Sequence, residues 1–336
     1  MNKTKITLLF LAFILLLGSC TGAGTYKALF DKDIDEQISS KITELDNIIL
    51  QAILDNDTES AKSLFSGELI DSGIDIESLF SEIRAHEEGR NHERYKNVYV
   101  KMDRVGEHRP VVAESLNDEN GMIITFSGYT KEMYVSMIKS TDESSENLFY
   151  IEYIKQKGQW QVYRLNYGSL TRFGMDANDI YQKSRTLYGE GYDIPAALYS
   201  DAFDVLIKPV PYIQYKNEEM MVNFFDGLKE EVSLNYEFPV ELSENSGKQI
   251  YSIELRALKQ GYVPIINYVT QTQLGDANQE KLLNEAYSIN AEIDEVFPGF
   301  AKSFDYFLYK AFNEPPLNQE KDYASYASIV EKGVFR

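Results

Sequence analysis

The sequence predicts an α+β protein, and three observations predict it. Between residues 31 and 54 apolar residues recur at three- and four-residue steps, the period of one helix face. From Tyr95 the period falls to two, the mark of half-buried strands. Beyond residue 211 strand and helix signals alternate, so a second sheet-and-helix unit follows the first. With 336 residues, 43% of them apolar, the chain is long enough to bury two cores.

Taken in order, the first helix presents Ile34, Ile38, Ile42, Leu45, Ile48, Ile49, Ala52 and Ile53 on its inward face. Asp57-Thr58-Glu59 opens a short second helix, and 76–85 makes a third with Leu79, Phe80 and Ile83 inward. Strands are expected at 95–105, 122–126, 133–138, 148–154 and 160–165, with Lys157-Gly158 as the clearest hairpin turn. Helices followed by a sequential antiparallel meander predict a sheet that curls around the long helix. Asp176 caps a helix over 177–188, Gly189-Glu190-Gly191 turns the chain, and a second helix from Asp193, with Pro195 in its first turn, stops before Pro209. The rest reads as a strand at 212–215, a helix at 218–234, a hairpin at 250–270, a helix at 279–296 and a final strand at 304–312. The expected divisions are a leader at 1–19, a tether at 20–30, a first domain at 31–170, a helical hairpin at 176–209, a second α+β domain at 210–316, and a surface tail at 317–336.

Lys3 and Lys5 precede an uncharged run from Ile6 to Leu17, which is 12 residues long and short of the roughly 20 that span a bilayer. This is an export signal. Its ending, Leu17-Gly18-Ser19-Cys20, resembles the lipobox of bacterial lipoproteins, a Leu and two small residues before a Cys. The resemblance implies cleavage after Ser19, acylation of Cys20, and a mature protein anchored in the lipid bilayer. Several chains on one residue anchor stably, because each buried methylene contributes about 0.8 kcal/mol. Thr21 lacks the acidic character that holds some lipoproteins at the inner membrane, which points to an outer-membrane address.

The order of elements, with the stretch LDNDTESAKSLFS early and KGQWQVYRLNYG as the closing hairpin, resembles the nuclear-transport-factor-like, or cystatin-like, cone over residues 30–170. Such a cone implies a helix cradled by a curved sheet whose interior holds a ligand, an active site, or nothing. GYDIPAALYSDAFDVLIKP resembles the second helix of a tetratricopeptide hairpin, but no second copy follows, so no peptide-binding array is expected.

Chemistry is sparse. Lys plus Arg is 33 against 53 Asp plus Glu, a net charge of −20 that gives nucleic acid no electrostatic reason to bind. One Cys excludes an internal disulfide and a Cys-ligated zinc cluster. His86, Glu87, Glu88, His92, Glu93 and His108 are the densest set of metal-ligand types, but their spacing misses the four-residue step of a zinc helix, so they read as a solvated helix end and loop. There is no GxSxG motif, Gly189-Glu190-Gly191 is a turn and not a dinucleotide fingerprint, and no cofactor is expected. The 24 tyrosines supply the remaining candidates. Tyr99, Asp103, Tyr153 and Tyr163 fall on expected strands of the cone, where alternation directs some inward to line a pocket. The function expected is a non-enzymatic envelope lipoprotein that binds a protein partner or a small ligand. The alternative is a cone-fold enzyme using a buried carboxylate or Tyr, with Asp103 or Tyr153 nominated.

Overall fold

A computed structural model describes residues 26–103, 105, 111–114, 121–126, 128–242, 247–318 and 321–333, with the backbone alone at 111–114. The leader, Cys20 and residues 21–25 lie outside the described residues. The chain is a mixed α+β protein. Strand β1 (Tyr26–Phe30) leads into helix α1 (Glu36–Asp55), the short helices α2 (Thr58–Lys62) and α3 (Gly67–Asp71), and α4 (Ile76–Glu87). Strands β2 (Asn91–Met102), β3 (Val111–Glu114), β4 (Met122–Phe126), β5 (Glu132–Thr141), β6 (Ser145–Gln156) and β7 (Gln159–Arg172) follow. After the helix pair α5 (Ala177–Gly189) and α6 (Asp193–Leu206) come β8 (Ile213–Tyr215), α7 (Glu218–Asn235), β9 (Val240–Glu241), β10 (Gln249–Leu258) and β11 (Gly261–Val269). Helices α8 (Gln279–Val296) and α9 (Phe300–Ser303) precede β12 (Tyr306–Phe312) and β13 (Ser325–Glu331). Among the described residues no helix is long and apolar enough to cross a membrane.

The first sheet has the order β1-β2-β5-β6-β7, antiparallel throughout. Helix α1 starts where the Asp35 carboxylate accepts from the backbone N–H of Gln37, 2.9 Å away, and ends at Asn56 in a left-handed conformation. It buries Ile42, Leu45, Ile49 and Ile53 against one face of this sheet, on Tyr134, Phe149, Ile151 and Leu165, with Phe80 and Ile83 of α4 alongside. The second sheet has the order β13-β12-β11-β10-β9, in which β11 and β12 run parallel and the others antiparallel. The parallel pair is joined through α8, since parallel strands need a long crossover.

Several sequence expectations change. The tether expected at 20–30 is shorter, because Tyr26–Phe30 pairs with β2 from Tyr26↔Met102 to Phe30↔Val98; Ala28 and Phe30 gain burial there. The surface tail expected at 317–336 contains a strand, since β13 pairs with β12 along its length and buries Val330. The meander is not sequential. Strand β2 pairs directly with β5, and β4 joins β3 and the distant β8 in a separate sheet that buries Met122, Ile124 and Phe126. Ile48, placed on the inward face of the first helix, is 45% exposed, while Asp46 takes that side.

The two halves also share a core. The face of the first sheet that turns away from α1 carries Val98, Val100, Met133, Val135, Met137 and Ile154, and these are continuous with buried residues of α5, α6, β4, β8 and the second sheet. Helix α6 is the hub, burying residues from Ile194 to Leu206 on several sides. At the seam an added Cβ on Gly168 of β7 would lie 1.8 Å from the Pro209 carbonyl oxygen, so only glycine lets the two backbones meet there. The boundary expected near 170–176 therefore divides the sequence but not the core.

Candidate functional site

The face of the first sheet that meets α1 and α4 carries two buried carboxylates. Asp46 lies in mid-helix, three residues before Ile49 and four after Ile42, and is therefore carried inward with the apolar stripe. Arg94 Nη2 and Ser136 Oγ donate to its Oδ2 at 2.9 and 2.8 Å, and the Tyr153 hydroxyl donates to Oδ1 at 2.8 Å. Burial raises the Asp46 pKa to about 6 against the opposing effect of these hydrogen bonds and of the Arg94 charge. Asp46 is 1% exposed and Tyr134, Ser136 and Tyr153 are at 0%, so no water-sized probe has room beside the carboxylate. The Tyr134 hydroxyl is buried without a hydrogen-bond partner among the described residues.

Glu87 ends α4 on the same stripe as Phe80 and Ile83, and it too is 1% exposed. Ser140 Oγ donates to its Oε2 at 2.5 Å, the Tyr167 hydroxyl donates to Oε1, and His92 Nε2 lies 2.6 Å from Oε2. Burial raises the Glu87 pKa, but the hydrogen bonds from His92, Ser140 and Tyr167 outweigh it and hold the carboxyl below its ordinary value. With Glu87 ionised, His92 Nε2 carries the proton of that contact. Arg90 secures the strand ends around it. Its Nε donates to Ser140 Oγ at 2.8 Å, its Nη2 to the carbonyls of Ser140 and Ser145 at 2.7 and 2.8 Å, and its Nη1 to Asp142 and Ser145.

This second network stands beside open space. One cleft of about 550 Å³ is lined by Leu54, Arg84, Glu87, Glu88, Gly89, Arg90 and His92. Another of about 280 Å³ is lined by Leu79, Glu82, Ile83, His86, Asn147, Tyr167, Gly168, Ser169 and Arg172. The hydrogen bond from Tyr167 to Glu87, prolonged by Asn147 Nδ2 donating to the Tyr167 oxygen, links the two clefts. The second brings the apolar side chains of Leu79 and Ile83 together with the polar groups of Glu82, His86, Asn147, Tyr167, Ser169 and Arg172.

The residues nominated from the sequence are not brought together. Tyr99 and Tyr153 belong to the helix-facing core, where Tyr99 packs edge-on to Trp160 with ring centroids 6.4 Å apart. Burial and the neighbouring Glu132 push the Tyr99 hydroxyl up to about 12. Tyr163 points to the opposite face, stacked on Tyr129 at 5.3 Å with the Arg164 guanidinium over its ring. Asp103 is exposed just past the end of β2. The reading of His86 to Glu93 as a solvated helix end fails at Glu87, which is buried. His86 and His92 line different clefts, and His108 lies outside the described residues. Asp46 and Glu87 were missed, although each occupies an apolar-face position of its helix, and that misplacement of a charge is a signal present in the sequence.

Comparison with family models, with characterised proteins and with solved structures found no match. Residue roles in this chain therefore rest on its own geometry.

Proposed function

We propose that the chain is an envelope lipoprotein, held in a bilayer by acylated Cys20, whose body binds a small ligand or a protein partner and carries out no chemistry. In this reading the N-terminal unit is a nuclear-transport-factor-like cone, and α5 and α6 are the helical hairpin that joins it to the second α+β unit. The observation that carries the non-enzymatic reading is the filled interior: the buried carboxylate, its donors Ser136 and Tyr153, and Tyr134 have no exposure beyond 1%. A cone enzyme must bring substrate to such a carboxylate, and here the Tyr153 hydroxyl is already committed to Asp46. The small-ligand reading is supported by the cleft at Asn147 and Tyr167, whose lining offers several hydrogen-bonding groups beside Leu79 and Ile83.

Mass analysis of the N-terminal fragment of the protein from its own membranes tests the anchor. The expected fragment begins at an acylated Cys20, and Cys20→Ala leaves an uncleaved or unlipidated precursor. An unmodified Cys20 in the mature wild-type protein, or cleavage elsewhere, would refute it. Native mass spectrometry of the same preparation tests the cleft. An additional bound mass that is lost in Tyr167→Ala supports a ligand there, and a bound mass retained in that variant places the ligand elsewhere.

A further inference from the structure

We propose that the end of the first sheet nearest the lipid anchor is a docking surface for the anionic phosphate headgroups of the bilayer, so that the body lies against the membrane in one orientation. The inference rests on the reading of Cys20 as the anchor. Five residues separate Cys20 from Tyr26, and a fully extended chain covers at most about 3.6 Å per residue, so the start of β1 stays within roughly 20 Å of the acylated cysteine. Whatever that end of the sheet presents, it presents to the bilayer.

What it presents is a cross-strand row that carries a lysine on three of the five strands, with further lysines beside it. Lys27 of β1 stands directly opposite Lys101 of β2, and Lys101 opposite Glu132 of β5. Glu132 is bridged to Lys155 of β6 at 2.7 Å, and Lys155 stands opposite Trp160 of β7 with its ammonium 5.5 Å from the ring centroid. Exposed Lys131 precedes β5, and exposed Lys157 occupies the β6–β7 turn. Among the described residues, carboxylates stand at this end too. Glu132 is engaged by Lys155, Glu68 accepts from the Tyr129 hydroxyl at 2.6 Å, and Asp103 is exposed. Among the described residues, five lysines therefore gather at this end in a chain whose net charge is −20.

The arrangement fits a membrane on two counts. Like charges directly opposite one another across antiparallel strands are destabilising, which makes the Lys27–Lys101 pair a cost to the sheet that external anions would relieve. Tyr26, 47% exposed, and the partly exposed Trp160 flank the row, and aromatic rings beside cations suit the headgroup region, where one end of a side chain is apolar and the other wet. The strongly acidic remainder of the body is repelled by an anionic leaflet, so attraction at this end sets the orientation.

The sole cysteine and the sole tryptophan provide the test. Mature chain made without acylation is coupled through the Cys20 thiol to a maleimide-bearing lipid, in vesicles of neutral phosphatidylcholine alone or with roughly 30% phosphatidylglycerol to supply surface charge. Quenching of Trp160 fluorescence by brominated phospholipid in the same vesicles is then read. The expected result is at least about twofold more quenching in the anionic vesicles, abolished by roughly 0.5 M salt, which shortens the screening length. The Lys101→Glu/Lys131→Glu variant is expected to behave in both vesicles as the wild type does in neutral ones. Equal quenching in neutral and anionic vesicles, or an unchanged variant, would overturn the proposal. Because the coupling supplies the anchor chemically, failure here is distinct from failure of the lipidation reading, which the N-terminal mass decides.

Discussion

Asp46 and Glu87 are carboxylates of equal burial on one face of one sheet, and their pKa values move in opposite directions. Asp46 sits in the middle of a 20-residue helix among side chains that admit no water, and three hydrogen bonds with one guanidinium do not offset its desolvation. Glu87 sits in the last turn of its helix, where His92 and the adjoining clefts keep the site near solvent, and its hydrogen bonds win. Burial alone therefore does not identify a functional carboxylate. Asp46 belongs to a sealed interior, whereas Glu87 belongs to a margin at which a ligand can arrive.

The largest test breaks the unit to which both carboxylates belong. In a fragment of residues 26–172, Val98, Val100, Met133, Val135, Met137 and Ile154 lose their cover from α5, α6, β8 and the second sheet. The fragment is expected to show no cooperative urea transition, while the full mature chain shows one. A sharp transition in the fragment would mean that the α1-side core suffices for folding.

Next in size is Asp46→Ala, which leaves the Arg94 guanidinium and the hydroxyls of Ser136 and Tyr153 without their acceptor. Because Arg94 can turn to solvent, the loss comes from the two buried hydroxyls, at about 1–3 kcal/mol for each group left unsatisfied, to be read as a lower urea midpoint at unchanged slope. Tyr167→Phe removes one of the donors to Glu87 and is expected to cost about 1–2 kcal/mol. If the two losses are equal, the contrast between interior and margin fails.

The pH dependence sharpens the same comparison. Asp46 binds its proton more tightly in the fold, so its contribution to stability is present below its ordinary value of 3.8 and is lost as pH rises to about 6. That difference corresponds to about 3 kcal/mol, and Asp46→Asn should abolish the decline. Glu87 works the other way: its contribution is present above its ordinary value of 4.5 and is lost as pH falls through its depressed folded value. Chemical denaturation of the wild type and of both neutral variants, Asp46→Asn and Glu87→Gln, at a series of pH values separates the two.

Much of the fold was legible because periodicity reports burial directly. The α1 stripe apart from Ile48, the β5–β7 strands and the Asp176 cap fall where the sequence puts them. Pairing was less legible. Nothing local in Met122 to Phe126 announces that Met122 pairs with Tyr215, more than ninety residues away, and not with the strand next in sequence. Tyr26 to Phe30 and Ser325 to Glu331 are edge strands, each with only one neighbour in its sheet, so their patterns are weak. The buried carboxylates were legible in principle. Asp46 aligns with Ile42, Ile49 and Ile53, and Glu87 with Phe80 and Ile83, so helical phase alone carries both carboxylates inward.

The most direct test of the sealed interior and the open margin is a carbon-13 NMR titration of the side-chain carboxyls of Asp46 and Glu87 in the full mature chain. The account predicts a midpoint of about 6 for Asp46 and one below the ordinary 4.5 for Glu87, so that the aspartate titrates at the higher pH despite being intrinsically the stronger acid. Titration of both groups near their ordinary values, or of Asp46 below Glu87, would contradict it.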